Sequence, residues 1–209
     1  FGDSGWNNRP KGGSTGGMLT TMAPPECARG ETCYMSPIIW KASALPRKAR
    51  SSNDSEVQSI TEAEDANYRT RLMWAEWNGA GVGRTRPPKC RPRELQQQLN
   101  EEVLMTHGIV VSDSKGGYDA IEANESAGLG MKCCRAAVEA LALKDIFVSE
   151  MTKLIWVASD WNLGDAFTKM NADARDGLLT FLATRRWRLK FDPTFVVSTK
   201  KKGKTAVPT

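Results

Sequence analysis

Four carboxylates sit on short stretches that read as strand ends or helix starts, the places where a fold can expose an acid to a ligand. The most informative stretch is Leu154 to Lys169, LIWVASDWNLGDAFTK. Its first four residues are apolar and rich in β-branched and aromatic side chains, the composition of a buried strand. Ser159-Asp160-Trp161-Asn162 is turn chemistry. Asn162 can cap a helix whose first turn holds Asp165, because its side-chain oxygen can accept from an unpaired backbone N–H. Asp165 then either complements the helix dipole or delivers an acid to the mouth of a sheet. Asp113 ends the apolar run Ile109-Val110-Val111-Ser112-Asp113, which reads as a parallel strand buried on both faces. Ligands of open α/β sheets bind at the carboxyl ends of such strands, and Gly116-Gly117 permits close approach there. The alternative is that Asp113 caps a helix over Lys115 to Ala123.

Glu56 opens the longest helical signal, Asn53 to Asn78. Asn53 or Ser52 is the expected cap, with Glu56 close behind as in a capping box. At about 100° per residue, Glu56, Ile60, Ala63, Asn67 and Trp74 lie within ~40° of one line. Ala66, Met73 and Trp77 widen that stripe, and Asp65, Arg69 and Arg71 read as its far side. Glu56 therefore faces inward, where an unpaired carboxylate is unfavourable. A metal ion would resolve this, whereas a capping Glu needs none. Asp3 lies in FGDSGWNNRPKGGSTGG. If it belongs on a first strand, most of that strand lies upstream, so the chain reads as a piece of a longer polypeptide.

The remaining elements frame these acids. Gly16 to Met22 reads as a strand ended by Pro24-Pro25. Cys33 to Lys41 reads as the next, at a sheet edge because Pro37 lacks an N–H. Leu45 to Arg50 is a basic connector. Gly79 to Arg93 is a Gly/Pro/Arg loop, and a short helix spans Glu94 to Met105. Further helices are expected over Lys132 to Met151 and Leu163 to roughly Arg186. Residues 1–190 form one domain, and 191–209 a basic, extended or disordered tail.

Taken in order, Asp3, Ser14-Thr15-Gly16-Gly17, Trp40-Lys41, Ser51-Ser52 with Glu56, Asp113, and Asp165 with Thr168-Lys169 resemble the ribonuclease H domain of copia-type retrotransposon polyproteins. The resemblance covers roughly residues 1 to 180. It implies an α/β, ribonuclease H-like fold: a five-stranded mixed sheet in which three antiparallel strands precede a helix, two further strands run parallel to the first, and helices cover both faces. It implies a metal-dependent endonuclease that cuts the RNA strand of an RNA–DNA hybrid, beside an upstream reverse transcriptase domain. Asp3, Glu56, Asp113 and Asp165 would be the catalytic and metal-holding residues for two Mg²⁺ ions ~4 Å apart, with Mn²⁺ as the other ion suited to hard oxygen ligands. The family commonly carries Thr-Lys-His-Ile-Asp where this chain has Gly130-Met131-Lys132-Cys133-Cys134-Arg135, and many ribonucleases H use a histidine near the last carboxylate. This chain offers none there, which puts rate in question more than the metal site.

Composition bounds the partners. Hydrophobic content of 40% permits a core. No run of ~18 apolar residues is present, so no membrane span is expected. The opening residues do not read as a signal peptide. The net charge of +5 is uneven: from Arg185 onward eight basic residues face one acid, Asp192, for +7, which leaves −2 for residues 1–184. The tail, with Arg47, Lys48 and Arg50, can hold a phosphate backbone by counterion release. It also fits a solvated terminus or a nuclear-targeting patch. Five cysteines without a Cys-x-x-Cys pair, and the single histidine His107, give no recognisable zinc spacing and read as reduced thiols of an intracellular protein, cytoplasmic or nuclear. Two other functions remain open: a nucleic-acid-binding fold without catalysis, and a structural or interaction domain using the Trp-rich helix face.

Overall fold

The computed structural model describes residues 1–78, 101, 103–122, 133–169 and 172–191. The chain is mixed α/β, with four helices and three small sheets among these residues. The loop expected over Gly79 to Arg93 and the tail beyond Phe191 lie outside them. So does most of the helix expected at Glu94 to Met105, of which residues 101, 103 and 104 are helical.

The first sheet is antiparallel. β1 (Gly2–Arg9) pairs with β2 (Gly13–Met22), and β2 with β4 (Ser36–Ala44). The β1–β2 turn is tight, with Asn7, Lys11 and Gly12 at positive φ, the region where Asn and Gly are least strained. Asn8 Oδ1 accepts from the backbone N–H of Thr15 at 3.0 Å, which pins the irregular register between Gly5 and Arg9. Pro37 sits opposite Thr21 on β4, an edge strand of this sheet. The expected strand at Cys33 to Lys41 is in fact two. Cys33–Tyr34 (β3) leaves β2 and pairs with Arg186–Trp187 (β7).

β5 (Gly108–Ser112) and β6 (Thr152–Trp156) form a parallel pair. Successive side chains point to opposite faces, and both faces are covered. Val110 and Leu154 pack on α1 (Ser52–Trp77), α2 (Lys115–Glu122) and α3 (Cys134–Ser149) through Ile60, Ile121, Leu143 and Phe147. Val111 and Ile155 pack on Leu19, Leu163 and Phe181, the last from α4 (Ala172–Thr184). β1 lies against β5, but no ladder joins them, so the five-stranded sheet expected from the resemblance is not formed as one sheet among the described residues.

Four local expectations are corrected. Ser51 caps α1, its side chain accepting from the Asp54 N–H, and Asp54 Oδ2 accepts from the Arg50 N–H at 2.9 Å. Asp54 thus takes the box position assigned to Glu56, since it stands three residues after the cap. Arg71 is 3% exposed, not on the solvent side. Its guanidinium donates to Thr152 Oγ1 and to the carbonyls of Val103 and Glu150. Met73, Trp74 and Trp77 face outward, because this end of α1 packs through Tyr68, Leu72 and Ala75 against Val103 instead. Finally, the helix expected from Leu163 to Arg186 is a 3-10 turn, Leu163–Phe167, followed separately by α4.

Candidate metal centre

Four elements meet where Asp3, Glu56, Asp113 and Asp165 lie. Asp3 is the second residue of β1, opposite Gly17, and 2% exposed. Glu56 stands on the second turn of α1. Asp113 follows the last residue of β5. Asp165 is in the Leu163–Phe167 turn and 3% exposed. One oxygen each from Asp3, Glu56 and Asp113 lies within 4.8 Å of the others. Asp165 does not join a set of three at that spacing; it faces Asp3 and Asp113 with Lys169 beside it.

Local structure removes the simpler, capping role of Glu56 and of Asp113. Glu56 is not the capping residue, as shown above. Asp113 is not a cap either: Ser114 Oγ accepts from the Gly117 N–H at 3.1 Å and caps α2. Asp113 Oδ1 instead accepts from Asn162 Nδ2 at 3.0 Å, and Oδ2 accepts from the Ser159 hydroxyl. Its backbone carbonyl accepts from Trp156 Nε1 at 2.9 Å. Asn162 also donates to the Gly2 carbonyl and accepts from the Gly164 N–H, both at 3.1 Å. One amide thereby ties β1, the end of β5 and the Asp165 turn together. Thr168 donates its hydroxyl to the Asp3 carboxylate, and Ser59 to the Asp3 carbonyl.

Burial dominates the electrostatics. Glu56 is pushed up to about 8 by burial and by repulsion from Asp3, with a hydrogen bond to Ser4 working against the shift. Asp3 and Asp165 are both raised, again by burial first; repulsion from Asp113 adds to the shift of Asp3, and repulsion from Asp3 and Asp113 to that of Asp165. Burial opposes the charge on Lys169, yet its hydrogen bond to Asp165 and attraction from Asp3, Asp165 and Asp113 carry its pKa above the ordinary value. Lys169 Nζ bonds Asp165 Oδ2 and lies 3.6 Å from Asp113 Oδ2.

Two carboxylate oxygens here, Glu56 Oε2 and Asp165 Oδ1, are buried without a hydrogen-bond partner. Orphaned buried acceptors are rare and unfavourable. Together with an all-oxygen donor set they fit Mg²⁺ or Mn²⁺ better than zinc. Asp3, Glu56 and Asp113 are spaced to share one ion. Between Asp113 and Asp165 the ammonium of Lys169 supplies the positive charge.

In the sequence, Lys169 and Thr168 stand out only as parts of a motif. The signal for Lys169 was its spacing of four from Asp165, a pairing distance on a helical turn. No local signal marks Asn162 as the tie to Asp113, because its partners are brought by the fold. His107 is exposed at the amino end of β5, the end remote from Asp113. In the basic connector, Arg47 is engaged by Glu139 and lies 3.8 Å from Asp54, while Lys48 and Arg50 are exposed. Lys48, Arg50 and Arg135 line a cavity of about 680 Å³ with Trp6 and Asn7. No helix among the described residues is long and apolar enough to cross a membrane. No family model, no curated protein and no solved structure matches the chain.

Proposed function

We propose that the chain is a divalent-metal-dependent endonuclease of ribonuclease H type, cutting the RNA strand of RNA–DNA hybrids within a retrotransposon polyprotein. The observation that carries this reading is the meeting of Asp3, Glu56 and Asp113 within 4.8 Å, with a buried, unpartnered oxygen on Glu56. A structural or interaction domain has no need to gather acids at this spacing. The finer fold belongs to the same proposal: the sheet order β4-β2-β1-β5-β6, with β1 alongside β5, would put Asp3 and Asp113 on neighbouring central strands.

Asp3, Glu56 and Asp113 would hold one Mg²⁺. Asp165 would hold a second once its carboxylate exchanges Lys169 for the ion. Ions bound there supply Lewis-acid activation of water and stabilisation of a leaving 3′ oxygen. The protein's own work is to keep the acids in place. Asn162 and Ser159 orient Asp113, Thr168 orients Asp3, and Asp3 and Asp165 are themselves buried. Selectivity for a hybrid would rest on 2′-OH and groove contacts. Lys48, Arg50 and the basic tail would contact phosphates, with Arg47 contributing only the charge left over from Glu139 and Asp54.

A second reading, nucleic-acid binding without cutting, is favoured by one observation: Lys169 already neutralises Asp165 and approaches Asp113. Incubating the chain with labelled RNA in a hybrid, with Mg²⁺ or with chelator, separates the two. Metal-dependent RNA cleavage is the expected result. Binding without cleavage in Mg²⁺ and in Mn²⁺ would favour the second reading.

A further inference from the structure

Beyond the carboxylates, the segment that follows α4 carries an arrangement with a use of its own. Arg185, at φ 56, turns the chain out of α4 and into β7. From there exposure alternates. Arg186, Arg188 and Lys190 are exposed, Trp187 is half-buried, and Leu189 is 3% exposed. Alternation of this kind puts one residue in two on the same side, roughly 7 Å apart along the chain. The inward residues anchor the segment. β7 pairs with β3, Leu189 joins the core beside Cys27 and Phe181, and Trp187 Nε1 donates to the Trp161 carbonyl.

The outward cations are held but not neutralised. Arg186 stands over the Tyr34 ring at 5.1 Å, and Arg188 and Lys190 lie 5.5 and 5.3 Å from the centre of the Trp161 ring. Among the described residues none of the three is in an ion pair. Asp160 is the one carboxylate in the segments 158–161 and 185–191. Most exposed lysines and arginines are mobile, and ordering them on a ligand loses side-chain entropy. A ring beneath the cation restrains it beforehand and leaves its charge facing out.

The strip also borders the metal centre. Trp161 ends the turn Ser159–Trp161, and the residues on either side of that turn's last two positions, Ser159 and Asn162, are the ones that hydrogen-bond Asp113. A polyanion lying on the strip therefore passes within a turn of chain of the carboxylates.

We propose that Arg186, Arg188 and Lys190, held over Tyr34 and Trp161, form a track for the phosphate backbone of one strand of the bound nucleic acid, leading away from the metal centre. This rests on the nucleic-acid reading given above and adds to it where one strand runs.

The test uses the whole 209-residue chain and a labelled RNA–DNA hybrid, with affinity measured against salt concentration. The triple variant R186S/R188S/K190S removes the strip. The control R29S/K41S/R69S removes equal charge from exposed, ion-paired positions. Loss of three phosphate contacts should flatten the slope of log affinity against log salt by about 2.7, and weaken binding about a hundredfold near 0.1 M salt. The control should change the slope far less. R186K/R188K keeps the charges and should keep the slope, which a purely packing role on Tyr34 and Trp161 would not. Equal losses in strip and control variants, a slope unchanged in the strip variant, or preferential binding of the unmutated chain to anionic lipid vesicles over the hybrid would each overturn the track. Cleavage is scored separately: a chain that never cuts but loses its salt slope in the strip variant keeps the track and loses the nuclease, whereas a chain that cuts undiminished with an unchanged slope keeps the nuclease and loses the track.

Discussion

Glu56 is where protons and a metal ion compete most directly. Its carboxyl titrates at about 8 in the folded chain against an ordinary 4.5. Between those pH values the folded state keeps a proton that the unfolded state has lost, so stability of the metal-free chain should fall as pH rises. The slope has a ceiling of ~1.4 kcal/mol per pH unit for one group. Glu64 acts in the same sense, raised to about 7 by burial despite hydrogen bonds from Asn67 and Thr152. Urea melts across this window should therefore show a falling stability that Glu56→Gln reduces in part. A stability that rises from pH 5 to 8 would remove Glu56 from the account. Asp113→Asn keeps the shape that Asn162 and Ser159 recognise but removes a charge. It should abolish Mg²⁺-dependent cleavage while the melting temperature holds or rises, because crowded carboxylates repel one another. Lys169→Gln takes away the ammonium that stands between Asp113 and Asp165. Lys169 is 38% exposed at its side chain, so the loss without metal should be only ~1 kcal/mol. Added Mg²⁺ should stabilise this variant more than the parent, and the opposite order would show that Lys169 does not compete with an ion.

At the scale of elements, the Asp165 turn is seated by a glycine. A Cβ on Gly17 would meet Phe167 Cβ at 2.7 Å and Thr168 Cγ2 at 2.9 Å. Gly17→Ala should push the turn off β2, destabilise by about 1–3 kcal/mol, and reduce cleavage even where the chain is fully folded. Normal cleavage by the folded variant would show that the turn need not sit there. How far such features were legible in the sequence depends on the range of the forces that set them. Asp113 at the end of an apolar run, and Glu56 in line with Ile60 and Ala63, follow from strand and helix periods, which are local. Ser51 and Asp54 as the capping pair differ by a residue or two from the local expectation, because several polar residues in SSNDSE can cap and packing selects one. The burial of Arg71 was not legible. Its acceptors are carbonyls at Val103 and Glu150, distant in sequence, and a guanidinium counts as polar until such partners arrive. The division between the Leu163–Phe167 turn and α4 was hidden by an unbroken supply of helix-compatible residues.

At the scale of the whole molecule, the antiparallel sheet, the parallel pair, α1 and the Leu163–Phe167 turn bring four acids together, and the segment after α4 carries cations that are exposed and, among the described residues, not ion-paired. The clearest claim in this arrangement is that Asp3, Glu56 and Asp113 are a divalent-cation site. It is tested most directly by titrating Mg²⁺ into the full chain by calorimetry near pH 7, in buffers of different ionisation enthalpy, with Glu56→Gln alongside. Metal ligands must be deprotonated, and Glu56 holds its proton at that pH. The expected result is saturable binding that releases protons into the buffer, with affinity and proton release both reduced in Glu56→Gln. Absence of saturable binding of Mg²⁺, or binding that is the same in Glu56→Gln and independent of buffer, would contradict it.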